Sequence, residues 1–494
     1  MKKYTLIAWS FICAFVILLF TTRSSILFVC NNWDDANSYF TMGKGMMNGL
    51  VIYRDLYDQK GPFLYLLYGF AYLISKKSFF GVFIFEIIAA TVFLYFAGKL
   101  IERKSSRNMA FVLVPIIGAA AYSSWSFYWG GAAEEFCLPL LMISLYYLDK
   151  LLCEEIEEKS SNRIFAVSGI CAGVVAQVKY TMLGFFFAWF IIAFACIWMK
   201  RGFGTSVKMA IRFVIFAVIP SIPWLIYFLI TNSLDDWYRC YVYNNIFFYS
   251  QASDENYSFL KKIYEITKNL YWLIRDSFSY FIWIIAGMIL HLFGEKGILR
   301  RIALPFIFAC TYFVIFIGGN KLAYYSIPLI VLAVPGVAYL GKLINSALQK
   351  RDKTISGHIY AAVAALVLVI STVFAANNTM NAEYRKYSAD DMWLLAAAKE
   401  LSETDTLLEV NSIDPGLYTV TGIKPTCEYF QTNGIGLEKM FEEQKKYIKE
   451  GRTDFVLATD FEPEFIGLNY DLVKVYEYKE TDHEEEYYLY KKRQ

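Results

Sequence analysis

The chain has 494 residues, of which 57% are hydrophobic, 18% aromatic and only 19% charged, and its mean hydropathy is +0.38. A soluble chain of this size normally carries about 25% charged residues, so the composition is typical of a membrane protein. The formal net charge is +2, and no dense basic patch is present, which argues against nucleic acid as a partner.

The cysteines and histidines exclude two further classes of site. The nine cysteines include no Cys-x-x-Cys pair and several lie within apolar runs, so they indicate buried thiols rather than a disulfide framework. The three histidines, His291, His358 and His483, are far apart in the sequence. This spacing argues against a histidine-based zinc site.

Apolar runs of membrane-spanning length recur over most of the chain. The first follows two lysines and has no small-x-small cleavage site after it, so we interpret it as an uncleaved span. About 20 apolar residues at a rise of ~1.5 Å cross a hydrocarbon core of ~30 Å. About eleven spans are predicted, at 4–22, 79–98, 109–125, 136–148, 164–178, 181–199, 210–230, 271–293, 302–318, 323–340 and 358–376.

The loops between these runs predict the orientation. Basic residues cluster in five of them, at 99–107, 150–163, 200–208, 296–301 and 342–353, which share one side if the spans alternate. The positive-inside rule makes that side the cytoplasm, so we expect a cytoplasmic N-terminus and an outer C-terminal region. The short loops and the lysines at the N-terminus suit a bacterial plasma membrane.

Residues 62–75 are apolar but short for a span. A crossing there would move the basic loop 99–107 to the outer side, so we expect this segment to lie along the outer surface or to re-enter. Lys76 and Lys77 favour the opposite interpretation.

Residues 377–494, called the tail below, have a different pattern. Helices are predicted at 392–401 and 438–449, and strands at 407–410, 455–458, 472–478 and 487–490. This alternation predicts a small extracytoplasmic α/β domain that follows a transmembrane domain over residues 1–376.

The first outer loop, residues 31–62, concentrates charged and aromatic side chains next to the membrane. Its pattern predicts an amphipathic helix in the membrane interface that begins near Asp34 and ends at Asn48-Gly49. The aspartates could cap this helix while Lys60 reaches the lipid headgroups. Alternatively the carboxylates and cations form a functional site, and their number in one loop favours function.

At these residues the chain resembles the first outer loop of GT-C glycosyltransferases, the group of protein O-mannosyltransferases and bacterial aminoarabinose transferases. That loop has an acidic residue, an aromatic residue four positions later, a helix of small residues, a stretch with Gly and Tyr, and then Lys-Pro-Pro or Lys-Gly-Pro. The matching residues are Asp35, Tyr39, Gly43, Gly45, Gly49, Tyr53 and Lys60-Gly61-Pro62.

Looser matches extend the resemblance over residues 1–340. Glu134 and Glu135 occupy the place of a second acidic outer loop, and Lys179 lies at the outer end of a later span. Tyr324-Tyr325 stands where the family often has His-Tyr. That departure weakens any metal or proton role carried over through the histidine.

The resemblance implies transfer of one sugar, with inversion, from a polyprenyl-phosphate carrier to a glycan, lipid or protein acceptor on the outer face. Asp35 would be the general base, with Asp34 as the alternative, and Lys60 would bind the phosphate. The other predicted substrate-binding residues are Arg54, Tyr53, Glu134, Glu135, Lys179, Arg239 and Tyr324. Glu134 and Glu135 could also hold a divalent cation or orient the base, and no other cofactor is implied.

Two other functions stay open. A transporter or flippase for lipid-linked glycans would favour internal repeats, none of which is evident, and ionisable residues within spans, of which Glu86 is the clearest. A structural component with a degenerate site would tolerate replacement of Asp35. The aromatic residues of the 231–270 loop are explained more simply by an interfacial belt than by sugar stacking.

Overall fold

Most residues of the computed structural model are helical, and it describes residues 4–249, 259–318, 321–350, 356–480 and 483–494. The chain divides into two compact units, neither of which is continuous in sequence. Unit 1 contains Met1–Ser25, Phe85–Pro223 and Asn256–Ala382, and unit 2 contains Ile26–Ile84, Trp224–Glu255 and Glu383–Gln494. The first outer loop and the tail from Glu383 onward therefore belong to the same unit, and the boundary predicted after residue 376 stays a prediction.

The helices before residue 231 account for the first seven predicted spans and for the first outer loop. They are α1 (Tyr4–Thr21), α2 (Asp34–Met47), α3 (Pro62–Ile74), α4 (Phe80–Lys104), α5 (Arg107–Tyr122), α6 (Ala133–Cys153), α7 (Glu158–Ala176), α8 (Leu183–Arg201), α9 (Phe203–Val218) and α10 (Ile222–Ile230). The α-helices between residues 231 and 378 are α11 (Leu234–Trp237), α12 (Phe259–Asp276), α13 (Phe278–Gly294), α14 (Ile298–Phe316), α15 (Val334–Gln349) and α16 (Gly357–Asn378).

Seven helical segments in the described part of the chain are long and apolar enough to cross a membrane, and α12 with α13 gives an eighth if that bent pair is one span. The shorter apolar helices include α1 and α5, so each predicted span overlaps a helix. Large apolar side chains such as Ile211, Ile215 and Leu229 are exposed on the segment 203–230, where lipid would cover them. The prediction of a helical, multi-pass membrane protein is confirmed.

The bend between α12 and α13 moves one predicted span. The helix axis bends by 112° between α12 and α13, so the predicted span 271–293 combines the end of α12 with α13. Tyr271 and Trp272 made the end of α12 look continuous with the apolar run, because a hydropathy pattern does not register a change of direction. Residues 62–75 form α3, whose position relative to the membrane stays a prediction.

The tail contains a mixed four-stranded sheet with the strand order β1-β2-β4-β3. The strands are β1 (Leu407–Val410), β2 (Phe455–Thr459), β3 (Tyr470–Glu480) and β4 (His483–Lys492), and the helices are α17 (Trp393–Ala398), α18 (Leu417–Thr421), α19 (Glu438–Lys449) and α20 (Ile466–Asn469). β1 and β2 are parallel, and β4 is antiparallel to both β2 and β3. Every residue of β1 and β2 is buried, as expected for parallel strands covered on both faces. The predicted α/β character is confirmed.

Within unit 2, α2 is buried on all sides. Gly43 packs against α3 so closely that a Cβ atom there would lie 2.5 Å from the backbone nitrogen of Gly69. Residues 36–45 are all buried within the protein, so the prediction of an amphipathic helix that lies in the membrane interface is wrong. The periodicity correctly located the helix and its end at Asn48-Gly49, but it could not reveal that the tail covers the polar face.

Candidate active site

The first outer loop brings its two main candidate groups together in unit 2. Lys60 Nζ lies 3.5 Å from Asp35 Oδ1, and the two side chains are 9% and 13% exposed. The Lys60 ammonium also lies 5.3 Å from the ring centroid of Tyr39, within the range of a cation–π interaction. A base candidate and a phosphate-binding candidate are therefore neighbours.

Asp34 and Asp35 are the first two residues of α2, where the helix dipole stabilises negative charge. The capping position is occupied by Trp33, which makes no side-chain capping bond, so neither aspartate is the cap residue. Asp34 Oδ1 instead accepts a hydrogen bond from the backbone N–H of Asp35 at 2.7 Å. The capping interpretation does not describe these two carboxylates.

The environment of Asp34 changes its protonation. Burial and the neighbouring carboxylate of Asp35 raise the pKa of Asp34 from 3.8 to about 7, and Glu485 on β4 acts in the same direction. The backbone N–H of Asp35 and the Lys60 ammonium oppose this shift. Because a carboxyl with a pKa near neutral pH can both take up and release a proton, Asp34 remains the alternative general base.

Buried hydrogen bonds fix the backbone of Lys60. The Tyr53 hydroxyl donates to the Lys60 carbonyl at 2.5 Å, and the Lys60 N–H donates to the Tyr65 hydroxyl at 2.8 Å. Tyr65 in turn donates to Asp58 Oδ2 at 2.8 Å. Tyr53 is fully buried, and its positive φ of 70° places it in a conformation that such a residue rarely adopts. The structure places Tyr53 as a support for Lys60, and its predicted contact with substrate stays a prediction.

Neither Asp58 nor Tyr65 was assigned a separate role from the sequence. Both are buried and both hold the segment that carries Lys60. A carboxylate two residues before the family's lysine was a visible signal, but its partner Tyr65 lies on α3 and could not be inferred from spacing alone.

The two candidate arginines of unit 2 pair with carboxylates close to them in sequence. Arg54 makes a two-point contact with Asp55, at 2.8 and 3.0 Å, and also donates to the carbonyl of Thr231. Arg239 Nη2 lies 2.6 Å from Asp236 Oδ1. The arginine side chains are 43% and 47% exposed, so solvent weakens both ion pairs.

A second lysine–carboxylate pair lies in unit 1. Lys179, three residues after the end of α7, forms an ion pair with the fully buried Glu134 at the start of α6. The Lys179 ammonium lies 3.6 Å from the ring centroid of Tyr325 and 5.6 Å from that of Tyr324. Three residues that were predicted separately, Glu134, Lys179 and Tyr324, therefore form one cluster.

Glu135 belongs to a different group of unit 1. Its Oε2 accepts the backbone N–H of Gly131 at 3.0 Å, and its carboxyl contacts that of the fully buried Glu86. Glu86 also accepts the Thr22 hydroxyl at 2.9 Å. Gly130 has a φ of +89°, and a Cβ atom there would lie 2.7 Å from Glu86 Oε1, so the turn before α6 requires glycine. Sequence reasoning noted Glu86 only as a charge within a span, and its partners appear only in the fold.

The described residues of the candidate site do not form a ligand set for a divalent cation, and the predicted cation stays a prediction. Across the described residues, no group of three His, Cys, Asp or Glu side chains could hold a metal ion. Asp35 and Glu134 each face a lysine ammonium instead. We therefore derive no step through a metal, and the fixed positive charge near these carboxylates is that of the lysines.

Solved structures with a similar fold are membrane enzymes. ArnT from Cupriavidus metallidurans in the apo state aligns with a TM-score of 0.63 at 11% identity, over 98% of this chain and 97% of that chain. The same protein bound to undecaprenyl phosphate gives 0.63 at 12%, with the same coverage. The Archaeoglobus fulgidus oligosaccharyltransferase tethered with an acceptor peptide gives 0.46 at 12%, over 100% of this chain and 74% of that chain.

No protein-family model matches the sequence, and no curated protein matches it significantly. At 11–12% identity the likeness to ArnT shows the fold alone, and it extends over nearly the whole of both chains. The chain therefore has the fold of ArnT, a member of the group that its first outer loop resembles.

Proposed function

We propose that the chain is a membrane glycosyltransferase that moves one sugar from a polyprenyl-phosphate carrier to an acceptor on the outer face of the plasma membrane. The observation that carries this proposal is the Asp35–Lys60 pair, 3.5 Å apart in a chain with the ArnT fold. The pair joins the two functions that the reaction needs, a proton acceptor and a fixed cation, in a single place.

The transfer takes place in one displacement. Asp35 accepts the proton of the acceptor hydroxyl as that oxygen forms a bond to the anomeric carbon. The bond between this carbon and the phosphate oxygen breaks, and the polyprenyl phosphate leaves with the bonding electrons. Lys60 stabilises the charge on the leaving phosphate, and attack from the opposite side inverts the anomeric centre.

Other residues are assigned supporting roles. Tyr53 and Tyr65 hold the Lys60 backbone so that its ammonium stays beside Asp35. In unit 1, Lys179 offers a second cation for a phosphate group, with Glu134 as its counter-ion and Tyr324 beside it. Glu135, Arg54 and Arg239 remain candidates for contacts with donor or acceptor.

Two observations support a lipid-linked donor. ArnT has been solved bound to undecaprenyl phosphate, and its fold matches this chain over 98% of the residues. The apolar helices also provide a surface on which a polyprenyl tail can lie. The donor sugar and the class of acceptor, whether glycan, lipid or protein, are left to experiment.

The test is sugar transfer in membranes of a glycosylation-deficient host that expresses the full chain. Radiolabelled polyprenyl-phosphate sugars are supplied one at a time to wild type, Asp35→Asn, Asp34→Asn and Lys60→Met. We expect a loss of ~10²–10⁴-fold for Asp35→Asn, the usual contribution of a general base. Retained activity in Asp34→Asn together with this loss would identify Asp35 as the base.

Matched controls separate catalysis from general effects of charge. Asp471→Asn removes an exposed carboxylate of the tail, and Lys386→Met removes an exposed ammonium. Both controls should transfer sugar at the wild-type rate. Full activity of Asp35→Asn and Lys60→Met would overturn the site, and failure of folded wild type to transfer any sugar in the presence of acceptor would overturn the function.

A further inference from the structure

The buried polar face of α2 has no role in the reaction described above. It consists of Asn37, Ser38, Thr41 and Lys44 and is called the docking face below. Successive members along the face are three or four residues apart, and Ser38 lies beside Asn37 at its edge. These four residues are at most 1% exposed. A polar face that is buried to this degree must satisfy its hydrogen bonds within the protein.

The tail supplies a partner to each residue of the docking face. Thr419 donates to Asn37 at 2.8 Å, and Gln431 donates to Ser38 at 2.7 Å. Thr41 donates to Asp414 Oδ2 at 2.6 Å. Lys44 Nζ donates to the carbonyl oxygens of Tyr418 at 2.7 Å and Ile423 at 2.5 Å.

The charges at the centre of this contact balance. Lys44, Asp414 and Glu409 are completely buried, and neither carboxylate oxygen of Glu409 has a hydrogen-bond partner among the described atoms. Because burial and the neighbouring Asp414 carboxyl raise the pKa of Glu409 well above its usual value, Glu409 holds a proton. Burial raises the pKa of both carboxyls and lowers the pKa of Lys44 to about 7. One positive and one negative charge remain, which is the arrangement that a buried ion pair requires.

The tail also holds the segment that carries Lys60. Asn433 donates to Asp58 Oδ1 at 3.1 Å, and the N–H of Tyr57 donates to the carbonyl of Glu428 at 2.8 Å. Asp58 accepts from Tyr65, which also takes the Lys60 N–H. Both members of the Asp35–Lys60 pair are therefore on segments that hydrogen-bond to the tail.

An apolar contact could also bury α2, but it would allow the helix to turn or slide against the sheet domain. Directional hydrogen bonds at four places along about two turns of helix permit one rotation and one axial position. Asp34 and Asp35 are at the first turn of the same helix, so that position sets where their carboxylates lie.

We propose that the tail positions the catalytic carboxylates, and that Lys44 and Thr41 are positioning residues through which it fixes α2. The proposal rests on the proposed function, because it assigns Asp35 to catalysis. It gives the tail a role in the transfer step without a direct contact between Lys44 and substrate.

The test uses the full chain in detergent or nanodiscs with the polyprenyl-phosphate sugar that wild type accepts. Lys44→Met removes the charge, Thr41→Val removes one hydroxyl at nearly constant volume, and Thr41→Ser keeps that hydroxyl. Lys77→Ala is the control, because Lys77 also pairs with the tail, through Glu403 at 2.7 Å, but both side chains are about half exposed. Transfer kinetics are measured beside hydrogen exchange of the α2 amides.

We expect kcat of Lys44→Met to fall by ~10–100-fold, the scale of a misplaced catalytic group, while KM for the donor stays within about twofold. The amides of α2 should exchange faster in the same variant. Thr41→Val should show a smaller loss of kcat that Thr41→Ser recovers, and Lys77→Ala should behave as wild type. If Lys44→Met does not fold, the two Thr41 variants decide the question.

Wild-type kcat and wild-type exchange in folded Lys44→Met or Thr41→Val would overturn the proposal. A loss that follows only the amount of folded protein, with unchanged kcat per folded molecule, would also overturn it. If wild type transfers no sugar, the proposed function fails separately, and faster α2 exchange in the variants but not in Lys77→Ala would still support docking by the tail.

Discussion

Two lysine–carboxylate pairs, one in each unit, differ in burial and in how closely their charges meet. In unit 2 the Lys60 ammonium lies 3.5 Å from Asp35, and the Asp35 side chain is 13% exposed. In unit 1 Lys179 contacts Glu134 directly, Glu134 is fully buried, and the Tyr325 ring covers the ammonium. The two lysines are equally exposed, at 9% and 10%, so the pairs differ in their carboxylates: Asp35 is 13% exposed and Glu134 is fully buried.

This difference predicts which substitutions lower the stability of the protein and which lower its activity. A charge left without its partner inside the protein costs several kcal/mol, because water cannot replace the lost ion. Because Asp35 is partly exposed, water can partly replace Lys60 as its partner. Removal of Lys60 should therefore affect the reaction more than stability. The expected change in stability is therefore largest for Lys179 and smallest for the exposed arginines.

Lys179→Met should lower the free energy of unfolding by about 3–5 kcal/mol, because it leaves Glu134 charged and buried. The double variant Lys179→Met with Glu134→Gln removes both charges and should recover most of that loss. Denaturant unfolding in detergent measures both effects. Transfer by the refolded double variant then tests whether Lys179 also binds the donor phosphate.

A loss in Lys179→Met that the double variant does not repair would contradict this interpretation. It would mean that Lys179 stabilises unit 1 through packing on Tyr325 rather than through its charge. A stable, active Lys179→Met would show that the two pairs do not differ in the way their burial suggests.

Asp34→Asn should raise stability relative to wild type, and the gain should grow with pH. The pKa of Asp34 is raised from 3.8 to about 7 in the fold by burial and by Asp35. Between these values the folded protein keeps a proton that the unfolded chain has lost, so wild-type stability falls as pH rises. Asparagine does not titrate, and it can still accept the Asp35 N–H.

Thermal unfolding at several pH values measures this effect. The difference between Asp34→Asn and wild type should be small near pH 4, should increase up to pH 7 and should then stay constant. A difference that is independent of pH would mean that the carboxyl of Asp34 is not held protonated by its surroundings.

Arg54→Ala and Arg239→Ala should have the smallest effects on stability, each below about 1 kcal/mol, because their ion pairs are exposed. Denaturant unfolding of each variant gives the stability, and transfer assays give the effect on activity. A fall in donor affinity without a fall in stability would confirm the predicted contact with substrate. A stability loss as large as that of Lys179→Met would contradict the role given to burial.

The architecture was largely predictable because membrane spans and buried strands depend on local patterns of apolar residues. Each predicted span overlaps a helix, and the predicted strands at 407–410 and 455–458 coincide with β1 and most of β2. Apolar runs must be long enough to cross a bilayer, and buried parallel strands must be apolar on both faces. The junction of α12 and α13 was missed because a bend between two helices leaves the hydropathy continuous.

The candidate site was predictable in its members but not in its groupings. Asp35 and Lys60 were proposed from one motif, and they lie together. Glu134 and Glu135 are adjacent in sequence, yet Glu134 pairs with Lys179 while Glu135 contacts Glu86. Neighbouring residues at the start of a helix point in different directions, so adjacency alone could not distinguish the two partners.

Sequence by itself determined the class of the protein, the positions of its helices and strands, and the motif of the first outer loop. Tertiary structure alone decided that the first outer loop and the tail form one unit, and that Lys44 is buried. The physical reason is that periodicity reports where apolar and polar residues lie on a helix, but not what covers them. A polar face looks solvated in a sequence, and only the partners that the fold brings from more than 350 residues away, such as Asp414 for Thr41, show that it is buried.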